Sequence, residues 1–107
     1  MATEQPNLKY IKELSGNDRA FEQKFLGIVK GEFPVEKQHY IDCLGRKDFI
    51  ATAEIVHKLK HKLNILGLEN GYRVAVAYEE ELKYGSHKLK DDFLKILNVI
   101  ENYILTV

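Results

Sequence analysis

The chain has 107 residues, of which 45% are hydrophobic and 30% are charged. This composition is typical of a folded globular protein and excludes a disordered chain, and the length predicts a single domain over residues 1–107. Its 16 basic and 16 acidic residues cancel, which argues against a nucleic-acid-binding protein because that class carries a basic surplus.

The chain begins with a short amphipathic segment and continues with a longer one. Apolar residues at helical spacing predict a short helix over residues 6–14, with Pro6 in its first turn. A polar run then predicts a helix stop and a cap for the next helix. The second pattern covers residues 18–45, where Gly31 and Pro34 predict either one bent helix or two stacked helices. Its apolar residues are Phe21, Phe25, Val29, Phe33, Tyr40, Ile41 and Leu44.

Three further helices are predicted, from near Arg46 to Gly67, over residues 69–84, and onward from a cap at Ser86. No segment alternates with a period of two residues, so no strand is predicted. The predicted fold class is therefore all-α, an antiparallel up-and-down four-helix bundle with a short extra N-terminal helix. The predicted core stripes are Phe49, Thr52, Val56, Leu59, Leu63 and Leu66; then Gly71, Ala75, Tyr78 and Leu82; then Leu89, Phe93, Ile96, Ile100 and Tyr103.

The single cysteine and the lack of long apolar runs bear on location. Cys43 cannot form an internal disulfide or a metal-binding cysteine pair, and a helix-buried thiol in a reducing compartment is expected. No apolar run approaches the roughly 20 residues of a transmembrane helix, and the N-terminus lacks an apolar secretory region. We expect a cytoplasmic monomer that binds neither membrane nor nucleic acid.

One face of the third predicted helix carries an unusual combination of side chains. His57 lies away from the core stripe, and Lys60, His61 and Asn64 follow it on the same face. Ile50 and Ala53 share that face and leave apolar surface beside the imidazole, where a partner protein can dock.

The charges near His57 are also unusual. Lys58, Lys60 and Lys62 surround it, and Glu54 is the only acidic residue at the neighbouring helical positions. The turn near residue 68 is expected to bring residues 79–83 of the next helix level with His57, which adds Glu79 and Lys83 to the candidate site.

Three interpretations of this face remain open. The first is an ordinary solvated surface, which makes the chain a helical interaction module. The second is a metal site, because His57 and His61 form an i, i+4 pair. However, Lys58 stands where zinc-binding helices of proteases carry Glu, and no third ligand is evident, so no metal ligand is assigned.

The third interpretation is phosphoryl carriage. An imidazole with a pKa of about 6.5 is largely unprotonated and nucleophilic near neutral pH. A phosphoryl group on its nitrogen brings close to two negative charges, which lysines one turn away can neutralise without a metal.

The same residues resemble the signature of the histidine-containing phosphotransfer (HPt) domains of multistep phosphorelays. That signature, Ala/Val-His-x-Leu-Lys-Gly followed by Gly-Leu or Gly-Ala, stands here as Val56-His57-Lys58-Leu59-Lys60-His61 and then Leu66-Gly67-Leu68. Residues 8–17 also resemble the family's opening helix and turn. One departure is His61, which replaces the family's Gly and narrows the space for a partner.

The resemblance implies that His57 accepts a phosphoryl group and that Lys60 neutralises it. It implies a carrier between aspartates of response-regulator receiver domains and a sensor or hybrid histidine kinase, not a stand-alone enzyme. The carrier needs no cofactor of its own, since Mg²⁺ is expected on the receiver. Secondary phosphate-side candidates are Lys58, Asn64, Glu79 and Lys83, and the docking candidates are Ile50, Ala53 and His61.

Overall fold

Five α-helices and no β-strand make up the secondary structure of residues 4–107, the part of the chain that the computed structural model describes. A short N-terminal helix accompanies four longer helices that pack together, so the predicted all-α fold class is confirmed. The helices are α1 (Lys9–Ser15), α2 (Arg19–Gly45), α3 (Phe49–Ile65), α4 (Glu69–Lys83) and α5 (Lys90–Ile104).

Local caps set the boundaries of the first two helices. Helix α1 begins at Lys9 and not at Pro6, because the Asn7 side chain accepts a hydrogen bond from the Lys9 amide at 3.0 Å. Gly16 ends α1 in the left-handed conformation, with φ of 53°. Asp18 then caps α2 by accepting a hydrogen bond from the Phe21 amide at 3.1 Å, as the polar run predicts.

Helix α2 continues through Pro34 as one 27-residue helix, which decides between the two predicted alternatives. At about 1.5 Å per residue it is longer than the 15- to 17-residue helices beside it. Its first turns therefore extend past the core. The predicted stripe is correct at Val29 and Phe33, which are buried, but wrong at Phe21, which is exposed.

The start of α3 differs from the prediction by three residues. Helix α2 runs to Gly45, and the turn that follows places Lys47 at a positive φ of 58°. Asp48 then caps α3 and accepts a hydrogen bond from the Ala51 amide at 3.1 Å. A helix beginning near Arg46 is wrong because this turn reverses the chain there.

A tight turn joins α3 to α4. Helix α3 ends at Ile65, and Gly67 has the predicted left-handed conformation with φ of 75°. The Leu68 amide donates to the Leu63 carbonyl at 2.9 Å, which closes the turn. The Asn7 amide donates to the Leu66 carbonyl at 2.8 Å, so the N-terminal segment fastens this end of the hairpin.

The predicted stripes on α3 and α4 are confirmed, except that Phe49 is only half-buried. On α5 the predicted stripe is correct at Phe93 and Ile100, which are buried, whereas Leu89, Ile96 and Tyr103 are only half-buried against the core. Ser86 does not cap α5, which begins at Lys90 after an N-cap position held by Leu89 without a side-chain hydrogen bond. The Leu89 amide instead donates to the Glu81 carboxylate at 3.1 Å. The buried residues of α5 are Phe93, Leu97, Ile100 and Ile104.

The core lies between α2, α3, α4 and α5 and includes the predicted buried thiol of Cys43. At its centre the hydroxyls of Tyr40 and Tyr78 are 2.7 Å apart, and both rings contact Phe93. Burial raises the pKa of both hydroxyls, so the pair stays protonated. None of the helices within residues 4–107 has the length and apolar character needed to cross a membrane.

Candidate functional site

The candidate site lies along the seam where α3 and α4 run side by side. His57 projects from the middle of α3, and Glu79 projects from α4 directly opposite, as the antiparallel turn predicts. The two carboxylate oxygens of Glu79 are 3.1 and 3.2 Å from His57 Nδ1. The His57 side chain remains 53% exposed, whereas that of Glu79 is 14% exposed. The imidazole is therefore held at one nitrogen and open to solvent.

This contact fixes the tautomer of His57. A carboxylate can only accept hydrogen bonds, so the group facing it must be a donor. Nδ1 of His57 therefore carries the proton, and in the neutral ring Nε2 has the free lone pair. Nε2 is consequently the nitrogen that can act as nucleophile or ligand.

Glu79 also binds two lysines. Lys60 Nζ donates to Glu79 Oε1 at 3.0 Å, the oxygen that is 3.1 Å from His57 Nδ1. Lys83 Nζ lies 3.8 Å from the other oxygen, Oε2. Burial raises the pKa of the Glu79 carboxyl, but hydrogen bonds and charges from Lys60 and His57 outweigh it, and the pKa falls below its usual value. Glu79 is thus an anion that gathers one imidazole and two ammonium groups.

Lys60 has a more constrained position than the sequence indicates. Its side chain is only 13% exposed, and its ammonium lies 5.9 Å from the centre of the Tyr72 ring. Tyr72 is absent from the sequence-based candidates, although it lies on the same face of α4 as Glu79, seven residues away. Lys60 is therefore supported from α4 on two sides.

Lys62 is not part of the site. Its side chain is 11% exposed and points to α2, where its ammonium lies 2.9 Å from Glu36 and 3.0 Å from Glu32. Burial lowers its pKa, but hydrogen bonds to the two glutamates outweigh that effect and raise it. The expectation that three lysines surround His57 is wrong here, because Lys62 faces a different helix.

The remaining α3 candidates lie around the imidazole. His61 is exposed one turn away, with its ring edge-on to His57 and the ring centres 5.0 Å apart. Lys58 and Asn64 are also exposed. Within residues 4–107, the hydrogen bonds and ion pairs of His57 and Glu79 include neither Lys58 nor Asn64.

The two apolar docking candidates differ. Ile50 is 60% exposed, as expected for a docking residue. Ala53 is only 5% exposed, and its place on a solvent-facing surface is a wrong prediction. Ala53 lies on the same face of α3 as Lys60, seven residues later, and Lys60 pairs with Glu79 of α4, so α4 covers that face at Ala53.

No group of three or more His, Cys, Asp or Glu side chains able to hold a metal ion is present among residues 4–107. Fold and site together define a five-helix all-α domain with a half-exposed histidine oriented by a carboxylate. Comparison with models of protein families gives no match to this chain. Comparison with curated proteins and with solved structures likewise gives no match.

Proposed function

We propose that this protein is a phosphorelay intermediate that accepts a phosphoryl group on His57 and passes it to or from the aspartate of a receiver domain. The observation that carries the proposal is the contact between Glu79 and His57 Nδ1 at 3.1 Å, on a side chain that is 53% exposed. It supports an imidazole that is nucleophilic at Nε2, fixed in direction and accessible to another protein. The resemblance to histidine-containing phosphotransfer domains points to the same residue.

The reaction is a direct displacement at phosphorus. The Nε2 lone pair forms a P–N bond as the P–O bond to the receiver's aspartate breaks, and that carboxylate leaves with the electron pair. The imidazole acquires a positive charge that it shares with the Nδ1 proton, and the Glu79 carboxylate stabilises this charge. In the reverse direction the protonated Nδ1 lets the ring leave as neutral imidazole, so the phosphoryl group stays transferable.

Lys60 and Lys83 supply charge neutralisation. Both are bound to Glu79 in the unphosphorylated protein, which keeps two ammonium groups beside the imidazole. A phosphoryl group brings about −1.5 to −2 charges at pH 7 and offers strong acceptor oxygens. Because Glu79 is a single negative charge, it does not cancel both ammonium groups, and Lys60 and Lys83 can also interact with the incoming group. The site then needs no metal of its own, and Mg²⁺ belongs to the receiver.

The partners are a receiver domain and, upstream, a sensor or hybrid histidine kinase. The reacting atoms must approach to about 3–3.5 Å, which demands an accessible acceptor. His57 stands on an exposed seam with Ile50 two turns away as an apolar contact. The protein acts as a carrier and has no stand-alone activity.

The test has a partner-free arm and a partner arm. Phosphoramidate labels histidines chemically, and a receiver domain phosphorylated with acetyl phosphate supplies the second donor. Intact-mass measurement should find one acid-labile phosphoryl group, which His57→Gln removes while the helical circular dichroism is retained. Lys60→Ala should slow transfer from the receiver about tenfold or more, since a hydrogen bond to a charged group contributes about 1.5–3 kcal/mol.

Lys58→Ala is the matched control because Lys58 is exposed on the same helix and is not bound to Glu79. Its transfer rate should stay near that of the wild type. Labelling of His39, His61 or His87 in place of His57 would contradict the proposal. If neither donor labels His57, the remaining candidate is an interaction module that docks a partner without phosphorylation.

A further inference from the structure

We infer that His57 and His61 together form a binding site for a divalent transition-metal ion, with Zn²⁺ as the representative ion. The two residues are one turn apart on α3, and both are exposed. Their rings stand edge-on at an angle of 88°, with centres 5.0 Å apart. Neutral imidazole nitrogen is a preferred ligand of zinc, copper and nickel.

The spacing of the rings fits a shared ion. Zinc–nitrogen bonds are about 2.0–2.1 Å long, and the centre of each ring lies behind its bonded nitrogen, so two imidazoles on one tetrahedral ion have centres about 5 Å apart. The separation between His57 and His61 already has this value. The separation of the two rings therefore suits one shared ion, and water completes the coordination of that ion on this open surface.

Glu79 supplies the outer contact that metal-binding histidines usually have. A ligating histidine commonly donates its other ring N–H to a carboxylate, which orients the ring and increases its basicity. His57 makes this contact through Nδ1, leaving Nε2 to face the ion. Glu79 is therefore a positioning residue for the metal and not a ligand, so the protein supplies two ligands, His57 and His61.

The lysines oppose a cation less than their positions in the sequence indicate. Lys60 and Lys83 are both ion-paired with Glu79, and Lys83 also lies 3.6 Å from Glu80. Lys62 is directed to α2 and its two glutamates. Of the lysines close in sequence, Lys58 is left as an exposed charge beside the histidine pair.

The ion and the phosphoryl group need the same nitrogen. Nε2 of His57 has one lone pair, so a bound ion prevents it from attacking phosphorus. This consequence rests on the proposed function, whereas the metal site itself does not. Free transition-metal ions would thus hold the protein in an unphosphorylated state, and a chelator would release it.

The experiment titrates Zn²⁺ alone into the 107-residue protein, and binding is measured by calorimetry and by competition with a chromophoric chelator. The wild type should bind one equivalent, and His61→Gln should abolish that binding. Glu79→Gln should weaken it about 10- to 100-fold. His39→Gln is the matched control, since His39 is exposed on α2, and it should bind as the wild type does. Circular dichroism checks that each variant retains its helices.

Side-chain ¹⁵N spectra identify the ligands directly, because metal binding should shift the nitrogens of His57 and His61 but not those of His39 and His87. Equal Zn²⁺ binding by wild type and His61→Gln, or no binding by the wild type, would overturn the inference. Phosphoramidate labelling with and without Zn²⁺ separates the two proposals. If Zn²⁺ binds at the histidine pair but His57 is never labelled, the metal site is supported and the carrier function is contradicted. If Zn²⁺ does not slow the labelling of His57, the ion and the phosphoryl group do not compete for Nε2.

Discussion

Glu79 performs several roles with a single carboxylate, because it fixes the His57 tautomer and binds Lys60 and Lys83. Glu79→Gln keeps the size of the side chain but removes its charge, so the imidazolium that the proposed phosphorylation would form loses its counter-ion. We expect phosphoramidate labelling to slow roughly 10- to 100-fold, since a charge-assisted hydrogen bond is worth about 1.5–3 kcal/mol. The initial rate by intact mass gives the measurement.

A neutral amide can also face Nδ1 with its N–H₂ group, which the carboxylate cannot. Glu79→Gln should therefore admit the other tautomer, in which Nε2 carries the proton and cannot attack phosphorus. Side-chain ¹⁵N NMR of His57 should detect both tautomers in this variant, in place of the Nδ1-protonated form alone. Glu80→Gln is the control, because Glu80 is 61% exposed and pairs with Lys83 at 3.6 Å, away from His57. Equal labelling rates and equal tautomer ratios in both variants would remove Glu79 from the chemistry.

At the scale of single helices, α2 contains a glycine that its fold does not require. A Cβ built on Gly31 would meet no atom within 4 Å, and Gly31 is exposed within a continuous helix. Gly31→Ala should increase the free energy of unfolding by about 0.5–1 kcal/mol, because alanine loses less backbone entropy on folding. Urea denaturation followed by circular dichroism tests this.

Gly71 in α4 provides the contrasting case. It is buried, and a Cβ there would lie 3.3 Å from Ile96 Cγ2 on α5. Gly71→Ala has the same intrinsic gain but must displace Ile96, so its stabilisation should be smaller than that of Gly31→Ala or negative. A larger gain at Gly71 than at Gly31 would contradict this account of the α4–α5 contact.

Helix features that depend on nearby residues could be predicted from the sequence, whereas those that depend on other helices could not. The core stripes of α3 and α4 follow from helical periodicity, and the caps at Asp18 and Gly67 follow from residue type. The predicted stripe of α5 includes Phe93 and Ile100 but misses Leu97 and Ile104, because a helical wheel gives the apolar side of a helix but not the angle at which neighbouring helices cover it. Ser86 failed as a cap because the Glu81 carboxylate, eight residues before Leu89, binds the Leu89 amide instead.

Contacts between helices limited the prediction of the site. His57, Lys60, Glu79 and Lys83 could be placed together because the α3–α4 turn is short and its register is countable. The burial of Ala53 and the contact of Lys62 with α2 could not be predicted from the sequence. Both depend on the sides from which α4 and α2 approach α3. The spacing of residues within one helix does not show which acidic residues on neighbouring helices will pair with its lysines.

Across the whole molecule, the hydrogen bond between Tyr40 and Tyr78 joins α2 to α4 through the core. Tyr78→Phe should destabilise the fold by about 1–3 kcal/mol, because it leaves the Tyr40 hydroxyl buried without a partner. Tyr40→Phe should likewise destabilise the fold, because it leaves the Tyr78 hydroxyl buried without a partner. The double variant should lose less than the two single losses together, since no unpaired hydroxyl remains. Additive losses in urea denaturation would show that the hydroxyls do not depend on each other.

At the scale of the whole molecule, the proposed function puts the receiver-docking face on the seam of α3 and α4. This seam combines His57, the proposed phosphoryl acceptor, with Ile50, which is 60% exposed. Ile50→Glu should weaken binding of a receiver domain because it puts a charge into an apolar contact. Its effect on stability should stay within about 0.5 kcal/mol, as is usual for exposed positions.

Two further substitutions help to interpret this test, one as a charge control and one as a variant that changes the fold. Leu105→Glu adds the same charge at an 81% exposed position just after α5, and it should leave receiver binding unchanged. Ala53→Glu forces a carboxylate into the packed α3–α4 contact, so it should destabilise the fold and cannot report on docking. Chemical-shift mapping with a phosphorylatable receiver locates the interface directly. Perturbations confined to α5, with Ile50→Glu binding as the wild type does, would place the partner on another face and favour the plain interaction module.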